Sequence, residues 1–292
     1  MLYDVTLRIA YNYDSPATGG RHLLRMIPAD VPGQRLIAAG LEISPRPSER
    51  LERKDFFNNR VTELAFDAPL AKVAFTLRAR IERQAQAARL DASPSLPRLA
   101  AELAAQPQLT AASPHHFLPP SPRLGAAPKA IAAFAAEAAA DAASAGEAVA
   151  AVSRALHGHM TFEAGATHVG TTFEEAFEGR RGVCQDYTHI MIAMLRSLGI
   201  PAGYVSGFLR TEPPEGQPRL EGADAMHAWV RAWCGAATGW VEIDPTNDMA
   251  VGGDHLTVAI GRDYSDVAPV RGAIRLSGAH GSSQAVDVIP VE

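Results

Sequence analysis

The sequence predicts an α+β fold: an antiparallel β domain, then a core that mixes helices with a second set of antiparallel strands. Three observations carry this. Apolar residues alternate at Tyr3, Val5, Leu7, Ile9, Tyr11 and Tyr13, and again at Val73, Phe75, Leu77, Ala79 and Ile81, the period of half-buried strands. After Cys184 the period becomes helical, with Tyr187, Ile190, Met191, Met194, Leu195 and Leu198 on one apolar stripe. Residues 226–233 and 240–243 then read as two strands of a hairpin turning through Cys234-Gly235-Ala236-Ala237.

Taken in order, residues 1–85 form the antiparallel domain. Weaker strands at 21–27 and 60–66 join the two alternating ones, and Pro16, Pro28, Pro32, Pro45 and Pro47 mark loops. Residues 86–125 are a connection, rich in Ala and Leu but interrupted by Pro94 and Pro97, and ending in the Pro-rich stretch 114–122. Residues 126–292 form the core with a β-rich tail. Pro128 at a first helical position opens an Ala-rich helix to about Ala143, with Ile131 and Phe134 on its buried face. Gly146 separates it from a second helix striped by Val149, Val152 and Leu156. The helix after Cys184 stops at Gly199, Ile200 and Pro201, and the Pro- and Gly-containing stretch 211–224 is a candidate lid.

Composition narrows the classes of function. The chain has 292 residues, a net charge of −5 and a pI near 6.1, which gives no support for nucleic acid or membrane as a partner. No apolar run approaches the roughly 20 residues that span a bilayer. The opening Met1-Leu2-Tyr3-Asp4 runs straight into strand alternation, so no signal peptide is expected there. Cys184 and Cys234 are too few for a disulfide framework, and a reducing cytoplasm is the expected location. His157, His159 and His168 lack ligand-like spacing, so neither metal nor cofactor is expected.

The functional signal is the order thiol, imidazole, carboxylate. Cys184 lies at the first turn of its helix, where unpaired N–H groups and the macrodipole favour an anion. A thiol attacks as thiolate, so it needs a base. Trp233 facing Thr238 across the hairpin would set His227 opposite Asp244, within reach of a carboxylate that orients the imidazole, and Pro245 would end the strand.

These segments carry a family resemblance. Gly182-Val183-Cys184-Gln185-Asp186-Tyr187, Gly199-Ile200-Pro201-Ala202, Val205-Ser206-Gly207-Phe208, His227-Ala228-Trp229 and Gly239-Trp240 through Asp244-Pro245-Thr246-Asn247 resemble the bacterial transglutaminase-like superfamily. Tyr11, Tyr13, His22 through Pro28, Phe117-Leu118-Pro119-Pro120-Ser121 and Gly261 through Val267 resemble its subgroup with a dedicated N-terminal β domain. The resemblance implies a papain-like core in which a helix-borne Cys184 is the nucleophile, His227 the base and acid, and Asp244 the orienter. Gly203 stands where the family often has Arg, Phe208 where Tyr is usual, and Asn58-Asn59 where Gly-Asn is commoner.

Other residues keep two readings. Gln185 and Asp186 shape the site or cap the helix, and Trp229 and Trp240 wall an acyl groove or pack the core. His189 reads as supporting or surface, and Cys234 as structural. The function expected is cysteine-dependent acyl transfer on a peptide, protein or other amide substrate through a thioester, with hydrolysis favoured over amine incorporation. A non-catalytic interaction module is the rival.

Overall fold

The structure is a computed structural model describing residues 1–84, 91–211 and 224–291. Its first strands are β1 (Leu2–Leu24), β2 (Gln34–Ser44), β3 (Glu49–Lys54), β4 (Arg60–Phe66) and β5 (Leu70–Arg83). Helices α1 (Leu96–Ala104), α2 (Lys129–Ala138) and α3 (Ala145–His159) follow, then β6 (Thr161–Phe162), α4 (Phe173–Gly179) and β7 (Arg181–Gly182). The core continues with α5 (Cys184–Ser197), β8 (Ala202–Leu209), β9 (Ala225–Trp233), α6 (Gly235–Thr238), β10 (Trp240–Asp244), β11 (Met249–Ala250) and β12 (His255–Gly261). Helix α7 (Tyr264–Val267) and strands β13 (Val270–Arg275) and β14 (His280–Val291) complete it. The α+β prediction holds: both large sheets are antiparallel throughout.

The first sheet runs β2-β5-β1-β4-β3, with β13 and β14 also paired to β1. Alternation decides which face is dry: Tyr3, Val5, Leu7 and Ile9 are buried with Phe75, Leu77 and Ile81 across the ladder. Strand β1 absorbs the weaker strand expected at 21–27 and lies between two neighbours along most of its length. Two strands have no counterpart in the alternation pattern. All six residues of β3 are exposed, and in β2 a bulge and the small residues Ala38, Ala39 and Gly40 separate Leu36 from Leu41 and Ile43, which breaks the apolar alternation. The tail grouped with the core by sequence pairs with the first sheet instead, from Leu2 beside Val291 to Tyr13 beside His280.

The second sheet runs β11-β10-β9-β8-β12, and α5 packs on β9 and β8. Helix α5 departs from the one-stripe expectation: every residue from Asp186 to Leu195 is buried. The sheet covers one side, while α2, α3 and α4 cover the others. Pro97 starts α1 rather than interrupting it, and Pro128 is the N-cap of α2, which ends at Ala138, short of the expected Ala143. Gly146 lies inside the first turn of α3, whose cap is the Ser144 side chain accepting from the Glu147 N–H. Gly203, the departure from the family's Arg, has no room for a larger side chain, because the Phe117 ring and the Gly261 carbonyl already occupy that space.

The two sheets meet along the outer edge of β12. Buried Gln34 receives the Thr257 N–H at 2.8 Å and donates to the Thr257 carbonyl at 2.7 Å. Buried Asn59 does the same for Ile260, with both bonds at 2.8 Å. The expected tight turn is there: Asn58 adopts φ 66°, a left-handed conformation that Asn tolerates.

Candidate active site

Cys184 is half-buried at the first turn of α5. The loop entering it is tied down by Asp186, whose carboxylate accepts the Val183 N–H at 2.8 Å and the Thr167 hydroxyl at 2.6 Å. Asp186 is itself buried, so it caps the helix and sets the approach of the chain to the thiol. Gln185 is half-buried beside it.

His227, near the start of β9, donates from Nε2 to Oδ2 of Asp244 at 2.7 Å, and Cys184 is the second partner acting on the ring. Nδ1 is thus the nitrogen left for the thiol. The expected register is two residues out. Trp233 pairs with Trp240 and Ile243 with Val230, which sets Asp244 diagonal to His227 rather than opposite it. Helix α6 fills the turn and takes up the extra residues. A two-residue slip keeps every side chain on its face, so the pair survives.

The electrostatics are those of an anchored ion pair. Burial alone would lower the His227 pKa, but the bonds and charges of Asp244 and Cys184 outweigh it and raise the pKa to about 10. Burial works against the Asp244 carboxylate too. Donors from His227, His255 and Asn247 nevertheless hold it well below the usual carboxylate range. Asp244 Oδ1 receives the Thr246 and Asn247 backbone N–H groups at 2.9 and 3.3 Å. Oδ2 receives the Asn247 side chain at 2.7 Å and His255 Nε2 at 3.2 Å besides His227.

Residues 132–245 match the model of the transglutaminase-like superfamily, and residues 3–82 that of the bacterial transglutaminase-like N-terminal region. An uncharacterized protein of Mycobacterium tuberculosis is 32% identical over 99% of this chain and 93% of its own length. The chain belongs to the transglutaminase-like superfamily. An uncharacterized protein of Mycobacterium leprae is 31% identical over 92% of this chain and 91% of its own length. The fold is shared with a protein from Cytophaga hutchinsonii described as a "putative cysteine protease". That match has a TM-score of 0.76 at 20% identity and covers 100% of this chain and 91% of the other.

Within this transglutaminase-like core the remaining candidates separate. Trp229 is fully buried, donates to Glu242 at 2.9 Å and meets the His255 ring edge-on at 5.2 Å, so it backs the site from inside. Trp240 stands at the other end of β10 from Asp244, with Arg231 over its ring at 4.0 Å and Phe117 at 5.0 Å. It packs there, away from Asp244. Cys234 is fully buried, and burial pushes its thiol up to about 12. Burial raises the Tyr204 and Tyr264 phenols, and the charge of Cys184 adds to each shift. The candidate lid at 211–224 falls almost wholly outside the described residues.

Sequence reasoning missed His255. It is 1% exposed and heads a strand that no motif marks. With His227 and Asp244 it makes a cluster of potential metal ligands whose atoms lie within 4.8 Å of one another. Three donors already converge on Asp244 Oδ2, the bonding of a hydrogen-bonded anchor.

His189, expected to be supporting or at the surface, is buried and accepts the Tyr264 N–H at 3.2 Å. Burial lowers its pKa to about 4. Between that value and the ordinary 6.5 the unfolded chain binds the extra proton, so stability falls as pH drops through this window. Thermal melts from pH 7 to pH 4.5 should show this slope, and His189→Gln should flatten it.

Proposed function

We propose that the protein is a cysteine-dependent acyl-transfer enzyme acting on an amide, with Cys184 as nucleophile, His227 as acid and base, and Asp244 as orienter. The observation that carries this reading is the sharing of one imidazole: His227 bonds Asp244 at 2.7 Å while Cys184 acts on the same ring. In the reaction, the Cys184 thiolate attacks the amide carbonyl and the electron pair moves onto oxygen. Collapse of the tetrahedral intermediate expels the amine, which takes the proton held by His227. Water, deprotonated by His227, then adds to the thioester and releases the acid and the thiolate. The Cys184 backbone N–H at the start of α5 supports the developing oxyanion.

Hydrolysis is favoured over amine incorporation because no feature among the described residues marks a second amine site. Protein crosslinking is the alternative, and an interaction module that keeps the fold is the rival from another class. The intact triad argues against the rival, because binding alone does not require nucleophile, base and orienter together. A thiol suited to a reducing compartment fits a cytoplasmic setting.

The test is a peptide library incubated with wild type and with Cys184→Ala, in the presence and absence of a small primary amine, with products identified by mass spectrometry. Cys184→Ala should lower turnover on the order of 10⁴-fold or more. Unchanged rates would remove the mechanism. Dominant amine adducts would replace hydrolysis by transamidation.

A further inference from the structure

The N-terminal β domain holds the outer edge of β12, the strand that carries His255. Strand β12 is the outermost of the core sheet, so half of its backbone groups have no strand to pair with. Two amide side chains of the first domain take that place. Gln34 closes a two-bond ring with Thr257, and Asn59 closes one with Ile260. A side-chain amide carries the donor and acceptor of a peptide group, so each imitates one residue of a missing strand. The start of β12 and the residue before it are held from the same side. Tyr3 donates to Asp254 at 3.1 Å, and the Ala29 N–H reaches the Thr257 carbonyl at 3.1 Å.

His255 is the first residue of β12. Its Nδ1 receives the Gly252 N–H at 3.3 Å, which puts the ring proton on Nε2. That proton is donated to Asp244 Oδ2 at 3.2 Å, the same oxygen that receives His227 at 2.7 Å. A histidine that merely filled space could bond any neighbouring acceptor. This one spends its single donor on the atom that orients the general base.

We propose that His255 is a positioning residue for Asp244, and that Gln34 and Asn59 of the N-terminal domain hold the strand on which His255 stands. The β domain is then a structural part of the active centre, setting the carboxylate that sets the imidazole. This rests on the acyl-transfer reading of the same site and adds residues to it that the triad alone does not contain.

The experiment needs no known substrate. Cys184 of the full chain is alkylated with iodoacetamide between pH 5 and pH 9. Cys234 is fully buried, so the rate reports Cys184. His255→Phe removes the donor and should slow labelling at pH 6.5 about tenfold, the scale of one hydrogen bond to a charged group, moving the profile to higher pH. His255→Gln restores a donor and should recover most of the loss. Gln34→Met, on the far side of β12, should shift the profile the same way by less, with melts confirming that the variants fold.

Should His255→Phe fail to fold, His255→Met takes its place with the same expected loss and the same overturning result, and Gln34→Met tests the domain's part. A folded His255→Phe with the wild-type profile overturns the positioning role. A folded Gln34→Met with the wild-type profile overturns the domain's part in it. If wild-type Cys184 labels no faster than free cysteine at pH 6–7, the acyl-transfer reading fails before any variant is made, and the positioning role fails with it.

Discussion

Asp244→Asn should lower turnover by roughly 10³- to 10⁴-fold, as expected when the partner that fixes an imidazole tautomer is neutralised. The amide presents an N–H where the carboxylate presented an acceptor, and three donors now converge on that oxygen. His227 loses the hydrogen bond that is the largest single influence raising its pKa, so that value should fall from about 10 towards the ordinary 6.5. In the wild type, the stabilisation from the raised His227 pKa is fully present below 6.5 and is lost as pH rises towards 10. Asp244→Asn should therefore flatten the alkaline limb of the stability curve. Nuclear magnetic resonance titration of the His227 ring, beside steady-state kinetics, measures both effects. An unchanged titration with unchanged turnover would remove Asp244 from the mechanism. Donors left unpaired in a fully buried site should also cost about 1–3 kcal/mol of stability.

Deleting residues 277–292 should leave no stable folded protein. Strand β14 pairs with β1 through twelve residues, from Leu2–Val291 to Tyr13–His280. Its Val286 and Val288 are buried in the shared core, and burying two such side chains supplies roughly 3 kcal/mol or more. Against a total of about 5–15 kcal/mol, losing these residues together with a whole ladder of backbone bonds is decisive. Soluble yield and amide exchange in β1 give the measurement. The milder Val288→Asp should lower the melting temperature through the same face. A truncated chain that melts like the full one would show that β1 does not depend on this neighbour.

Much of the architecture was legible because periodicity reports burial. The row Tyr3, Val5, Leu7 and Ile9 is buried as its alternation implies, and residues 226–233 form a strand within one residue of the expected limits. The exposed β3 was invisible for the converse reason: a strand with both faces in water has no apolar pattern to read. Cys184, His227 and Asp244 stood out because each sits at an element boundary with a distinctive local signature. The hairpin register could not be read, since nothing in Cys234-Gly235-Ala236-Ala237 announces the short helix that occupies the turn. His255 was missed because its significance lies in what it meets, an oxygen eleven residues away in sequence, and in amides from the first domain that clasp its strand. Such relations exist only after folding.

The clasp on β12 has a consequence for growth by assembly. A sheet whose last strand keeps its outward backbone groups free can recruit another chain edge to edge, whether an unfolded neighbour or a second copy. Here two carboxamides occupy those positions, so the core sheet ends in a plug contributed by its own polypeptide. Loosening that plug would expose a sticky seam along the core sheet. Variants at Gln34 or Asn59 that weaken it should therefore form oligomers on warming before they unfold.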